Sequence, residues 1–272
     1  MTPSAVRAWH SGIAEAHPTT AAKAYRLLAT MMRSAVADRI IAATPCDVRG
    51  ASVEKAPERP VASIAEVAAL AEAMPEHLRL VVLLAAWCQL RRGELLGLRR
   101  RDLDLLHGTL TVAVTRTPTM RGEMIEKAPK TDAGARTIAM PTNILPAVVD
   151  HLARFTAAGA DAPVMVGMRG AALTPNVLND AWVRARASVG RTDLRIHDLR
   201  HSGLTWSAAT GATMAELMRR AGHASPAAAI RYQHATDDRD KALAMALAGL
   251  AEPAAVEVLA PRTADISRTT GA

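Results

Sequence analysis

The sequence predicts a mainly α-helical fold carrying one small antiparallel β-sheet, an α+β class, and three observations lead there. Hydrophobic residues make up 50% of the 272 positions but aromatics only 3%, so the core is built from Ala, Leu, Val, Ile and Met, which suit closely packed helices. Apolar residues recur at helical spacing over most of the chain, between Ser/Thr start signals and Gly stops. Only between Thr109 and Met140 does the period fall to two, in short runs separated by turn-rich segments.

Taken in order, residues 4–13 and 19–41 read as two helices, the second with Leu27, Leu28, Met31, Met32 and Ala35 on one face. They form a small helical domain over residues 1–47. Residues 48–60 (VRGASVEKAPERP) combine Gly, two prolines and alternating charges without periodicity, which reads as a linker. A main domain follows over residues 61–251. Ser63 and Glu66 make a capping box for its first helix, which ends near Pro75, and a more apolar helix spans about 77–90. The runs 109–114, 124–127 and 136–140 read as one antiparallel meander. Beyond Ile144 the helices return: Thr174-Pro175, Thr213 with Glu216, and Ser225-Pro226 mark starts, and Gly159, Gly190, Gly211 and Gly222 mark stops. A last helix is expected at 237–250, and the composition of residues 252–272 reads as a disordered tail.

Charge narrows the partner. Lys and Arg number 33 against 26 Asp and Glu, a formal net charge of +7, with a sequence pI of about 10.1. A polyanion or an acidic membrane surface would suit that balance. No basic amphipathic helix with large apolar anchors is evident, whereas Arg91, Arg92, Arg99, Arg100 and Arg101 stand among turn residues within reach of a phosphate backbone. Nucleic acid is therefore the expected partner, and no membrane, although charge by itself would equally fit a solvated basic surface. Two cysteines, Cys46 and Cys88, exclude a disulfide framework and a four-cysteine zinc site. The first residues lack a secretory apolar run, and no stretch is long enough to span a bilayer. A cytoplasmic location is the expectation.

Five stretches place phosphate-binding or proton-transferring groups at turns. In Leu90-Arg91-Arg92-Gly93-Glu94-Leu95 an arginine follows an apolar helix, where its fork suits bidentate phosphate binding and Glu94 could hold it. Taken alone, a helix-junction ion pair explains it equally well. In Pro129-Lys130-Thr131-Asp132-Ala133-Gly134-Ala135-Arg136, a turn between strands, Lys130 could protonate an alkoxide, or could be an ordinary hairpin lysine; Lys127 is the neighbouring alternative. His197 and Arg200 lie three apart and share a helix face. His197 and His201, four apart with Asp198 between, also resemble a zinc signature, but Asp is shorter than the Glu that pattern needs and Arg200 would repel a cation. Gly222-His223 sets a hydrogen-bonding group past a helix stop. Arg231-Tyr232-Gln233-His234 follows within one short helix, and Tyr232 is one of only two tyrosines.

Read together, Arg, Lys, His-x-x-Arg, His and Tyr in that order resemble the active-site pattern of the tyrosine recombinase, or phage integrase, family over about residues 63–250. By that resemblance the catalytic set is Arg91, Lys130, His197, Arg200, His223 and the nucleophile Tyr232, supported by Glu94, with Arg92, Arg99, Arg100, Arg101 and Arg231 on DNA. The resemblance implies a recombinase catalytic domain preceded by a partial helical core-binding domain, since residues 2–46 match only the later half of one. It further implies site-specific cleavage and rejoining of attachment-site DNA through a 3′-phosphotyrosyl link, without metal, cofactor or ATP, to integrate or excise a phage or mobile element. A monomer that becomes a homotetramer on two duplexes, and a directionality factor as further partner, belong to the same expectation. The alternative is a DNA-binding remnant impaired in catalysis.

Overall fold

The computed structural model describes residues 1–54, 59–128, 134–168 and 170–232, with helical pieces at 244–245 and 247–248; the side chains of residues 227, 228 and 231 are excepted. Lys130, the helix expected at 237–250 apart from those pieces, and the tail after residue 252 lie outside the described residues. The chain divides into two compact units, Met1–Arg59 and Pro60–Ala272.

In the first unit, helix α1 (Pro3–Ala14) starts at Thr2, whose hydroxyl accepts the Ala5 N–H. Helix α2 (Pro18–Ala37) begins on a proline, whose missing N–H costs nothing there. Val6, Tyr25 and Ala51 form the small core, with Leu28, Ala29, Cys46 and Val48 against it. The buried face of α2 is therefore Ala21, Ala22 and Tyr25. Leu27 and Met31, expected on that face, are exposed, because the amphipathic stripe is set by where Tyr25 docks. Residues 48–54, read from composition as linker, pack on this unit. The Val48 N–H donates to the Tyr25 hydroxyl at 2.9 Å, and Glu54 pairs with Arg26 and Lys23.

The second unit is built around α4 (Arg79–Trp87). Leu80, Val81, Val82, Leu84, Ala85 and Ala86 are all buried, as expected of a helix apolar on every side. Helix α3 (Ile64–Ala73) has the capping box read from Ser63 and Glu66. Helix α4 stops at Cys88 rather than near Leu90, because Gln89 takes φ 52° and turns the chain. Against it lies α8 (Ile196–Ala209). The two backbones approach so closely at Gly203 that a Cβ there would sit 1.8 Å from the Ala86 carbonyl oxygen. Gly203→Ala should thus push the helices apart and destabilise the protein by about 3 kcal/mol, checked by urea denaturation against wild type. Ser202 beside it accepts the Ala62 N–H and donates to the Asp198 carbonyl, both at 2.8 Å, so the entry to the unit is tied to α8.

The strands do not form the expected single meander. Strands β1 (Leu103–Asp104), β2 (Thr109–Val112) and β5 (Arg136–Ala139) make one antiparallel sheet in the order β1-β2-β5, while β3 (Thr115–Pro118) and β4 (Met124–Lys127) pair separately. Burial explains the split. Leu110 pairs with Ile138 and Val112 with Arg136 across β2 and β5, and all four are buried, so that register is specified by the core. The β3–β4 ribbon is half-buried to exposed along its length and is inserted between them. It lies instead on α5 (Arg92–Gly97), where Gly93 and Gly97 admit the β3 backbone; a Cβ on Gly97 would meet the Val114 carbonyl at 2.7 Å.

Helices α6 (Leu145–Arg154), α7 (Pro175–Ser188), α9 (Met214–Ala221) and α10 (Pro226–Ala229) complete the described unit. Gly190, Gly211 and Gly222 occupy positive φ just past helix ends, as read. Gly159 does not stop a helix: α6 ends earlier, at Arg154, and Gly159 caps a later turn through its carbonyl. Among the described residues no helix is long and apolar enough to cross a membrane.

Candidate active site

Four elements of the second unit deliver the polar groups. Arg91 is the N-cap of α5, and Glu94 closes that cap by accepting the Arg91 backbone N–H at 2.9 Å. The same carboxylate accepts the Arg91 guanidinium at 2.8 Å, so the arginine is held at both ends while its side chain stays 38% exposed. A second hydrogen bond from Arg91, at 2.9 Å, reaches the carbonyl of Gly222. That glycine sits in the left-handed region at φ 61°, where the chain leaves α9 and turns to present His223.

Arg200 comes up from the buried face of α8 and is itself only 2% exposed. Its guanidinium donates to the carbonyls of Gln89 and Ala221 and lies 3.1 Å from His223 Nε2. Gln89 is the residue that breaks α4, so its unusual backbone conformation aims the carbonyl at Arg200. Burial, then the neighbouring Arg91 charge, pushes the Arg200 guanidinium down to about 9, opposed by Glu94. It remains cationic at neutral pH.

Tyr232 ends the 3₁₀ turn Ile230–Tyr232 that follows α10. Its half-buried ring lies 5.1 Å from the His201 ring and 6.4 Å from the His223 ring, nearly parallel to the latter. His197 is exposed on the first turn of α8 and lines a cleft of about 680 Å³ with Arg91, Arg92, Arg116, Arg186 and Arg195. Among the described residues, that wall holds no acidic side chain. Five arginines in one cleft make it a favourable place for an anionic group.

The structure therefore brings Arg91, Glu94, Arg200, His223 and Tyr232 together and sets His197 and Arg92 on the adjoining cleft. The arginine run divides. Arg99 pairs with Glu126 and Asp161, Arg100 donates to the carbonyls of Leu152, Thr156 and Ala157, and Arg101 pairs with Asp161. Their tertiary role is to tie the 3₁₀ turn Arg100–Asp102 to the loop after α6, and none of the three lines the cleft. The Arg231 side chain and Lys130 lie outside the described residues. Lys127, the alternative lysine, ends β4 opposite Thr115 and is exposed. Asp198, the acid of the zinc-like reading, is buried and caps α8 by accepting the Arg195 N–H at 2.9 Å. Among the described residues no cluster of three His, Cys, Asp or Glu could hold a metal ion.

Three residues of this network were not singled out by sequence: Arg136, Arg220 and Gln89. Arg136 and Glu94 face each other through two hydrogen bonds of 2.9 and 3.1 Å, each side chain 3% exposed. Burial alone would raise the Glu94 carboxyl, but the hydrogen bonds and charge of Arg136, with Arg91 behind them, hold it below the usual carboxylate range. Arg220 donates to the Trp87 carbonyl at 2.7 Å and to the Gln89 side chain. Strand alternation carried the signal for Arg136: Ile138 and Met140 face the core, and position 136 shares their face. An arginine on the buried face of a strand implies a buried partner.

The phage integrase family model matches residues 61–239. Over 257 residues the chain is 42% identical to the prophage phiRv2 integrase of Mycobacterium tuberculosis, covering 93% of this chain and 68% of that protein. To the integrase of Mycobacterium phage L5 it is 36% identical, again over 93% and 68% of the two chains. Among solved structures, the Tn1549 transposon integrase in complex with a circular intermediate DNA has the same fold, with a TM-score of 0.75 at 20% identity over 90% of this chain and 85% of that one. A lambda integrase tetramer bound to a Holliday junction matches with a TM-score of 0.59 at 18% identity, over 83% and 65%. With most of its length matched by that family model and these relatives, the chain belongs to the phage integrase family, the tyrosine-type site-specific DNA recombinases.

Proposed function

We propose that Tyr232 is the nucleophile of this recombinase and that Arg91, Arg200, His197, His223 and Lys130 assemble around the scissile phosphate of an attachment site. One observation carries the reading: His223 links Arg91, Arg200 and Tyr232, with Arg200 3.1 Å from its Nε2, Arg91 bonded to the carbonyl of Gly222 before it, and the Tyr232 ring stacked at 6.4 Å.

Attack by the Tyr232 oxygen adds charge to the nonbridging phosphate oxygens as attacking and leaving oxygens come into line. Arg91 and Arg200 supply fixed positive donors there, preorganised by protein carbonyls and Glu94 rather than by water. The phenolic proton passes to the histidine pair, the new O–P bond forms, and the P–O5′ bond breaks with Lys130 giving its proton to the leaving oxygen. Because the phosphotyrosyl diester keeps the energy of the broken bond, a 5′-hydroxyl of another strand reverses the step and joins new partners without ATP or metal.

The structural relatives captured on DNA, among them a tetramer on a Holliday junction, support a homotetramer on two duplexes as the synaptic form. A directionality factor that biases integration against excision, action in the cytoplasm of a bacterial host, and a division of labour between a core-binding segment before Pro60 and a catalytic domain after it complete the proposal.

Incubation in EDTA with a labelled, nicked duplex from the DNA flanking the gene should yield a protein–DNA adduct that survives denaturant. Mass spectrometry of the digested adduct should place the nucleotide on the peptide containing Tyr232. A gel-shift complex with no adduct, or linkage to another residue, would overturn the assignment.

A further inference from the structure

We infer that Arg136 is a positioning residue for strand cleavage, one that keeps the charge of Arg91 available to the phosphate by taking up the other side of Glu94. The inference rests on the catalytic assignment of Arg91 proposed above.

The geometry is that of a saturated carboxylate. Glu94 Oε1 accepts from Arg91 Nη1 at 2.8 Å and Arg136 Nη1 at 3.1 Å, and Oε2 accepts from the Arg91 backbone N and Arg136 Nη2, both at 2.9 Å. A carboxylate offers about four lone-pair sites, all engaged here. A one-to-one ion pair between Arg91 and Glu94 would leave no net charge at the point where the phosphate must bind. With Arg136 included, two guanidinium groups share one carboxylate and a positive charge remains. Arg136 is buried with Glu94, whereas Arg91 is the partly exposed member, so solvent and ligand meet the surplus charge through Arg91.

Arg136 is anchored elsewhere as well. Its Nε donates to the Arg220 carbonyl at 2.9 Å, two residues before Gly222, which binds Arg91, and three before His223. Its Nη1 also donates to the Gly134 carbonyl at 3.1 Å, where the chain enters β5. One buried guanidinium therefore holds the Arg91 anchor, the approach to His223 and the start of β5 in a single register, and misplacement of reacting groups by about 1 Å costs on the order of 100-fold in rate.

The experiment combines two readouts on the full chain. Carboxyl ¹³C titration of Glu94, assigned by its absence in Glu94→Gln, should give a midpoint below the ordinary carboxylate range in wild type and a raised one in Arg136→Gln. Single-turnover adduct formation on the nicked duplex should fall about 100-fold in Arg136→Gln, with DNA binding nearly kept and the acid limb of the rate–pH profile moved to higher pH. Arg136→Lys should restore the acid limb, since charge returns, but only part of the rate, since the fork does not. A residue that merely stabilised the fold would lower the folded fraction without moving that limb. An unshifted Glu94 titration in wild type, which requires no variant to fold, overturns the inference; so does an unchanged rate and profile in Arg136→Gln. Absence of any adduct with wild-type protein counts against the catalytic assignment instead, and the Glu94 titrations of wild type and variants then decide the role of Arg136 by themselves.

Discussion

Tyr232→Phe should bind attachment-site DNA as wild type does and form no detectable covalent complex. The substitution removes one oxygen and keeps the ring, so its tilted contact with the His201 ring at 5.1 Å and its stacking with the His223 ring at 6.4 Å survive. Losing one half-buried hydroxyl changes stability by no more than about 1 kcal/mol. Loss of a nucleophile lowers turnover on the order of 10⁶-fold, beyond the range of an adduct gel. Binding measured by gel shift and chemistry measured by denaturing gel therefore separate completely in this variant. Adduct formation at a measurable rate would mean that another residue attacks the phosphate. A parallel loss of binding would mean that the ring packs the cleft rather than serving the reaction.

Glu94→Gln should produce the largest loss of stability, about 3–5 kcal/mol at neutral pH, because it leaves the buried Arg136 facing a neutral amide with Arg91 and Arg200 close by. Its pH dependence has a definite sign. The folded Glu94 carboxyl lies below its ordinary value despite burial, owing first to Arg136 and then to Arg91. Its contribution is thus complete above the unfolded carboxyl value of about 4.3 and is lost as pH falls through the lower folded value. Urea denaturation at pH 7 and at successively lower pH should show the two proteins far apart at neutrality and converging in acid. A constant gap would assign the loss to packing rather than to charge.

Much of this protein can be read without coordinates. Helix limits follow from local chemistry: the Ser63–Glu66 and Thr213–Glu216 boxes open α3 and α9, and Gly190, Gly211 and Gly222 stand at positive φ past helix ends. Those signals act within a few residues, so any short window contains them. The residues proposed for the active site, Arg91, His197, Arg200, His223 and Tyr232, can be picked out for a related reason, since each stands in a local motif whose order along the chain is distinctive. Strand pairing is different. Nothing within Thr115–Pro118 or Met124–Lys127 shows that these strands form a separate ribbon on α5, because the decision lies with the partners, Gly93 and Gly97, some twenty residues earlier. The arginine run is the same case. Arg92 and Arg99 look alike in sequence, yet one lines the cationic cleft and the other is occupied by Glu126 and Asp161.

By itself, then, the sequence determined the class of fold, the starts and ends of most helices, and the order of the groups proposed for the active site, because each of these depends on neighbours along the chain or on a motif. Tertiary structure alone decided which charges are spent within the protein and which face the cleft. It also revealed Arg136, which meets Glu94 from 42 residues away. A buried ion pair exists only where folding removes water and brings its two members face to face, and that depends on the packing of whole elements.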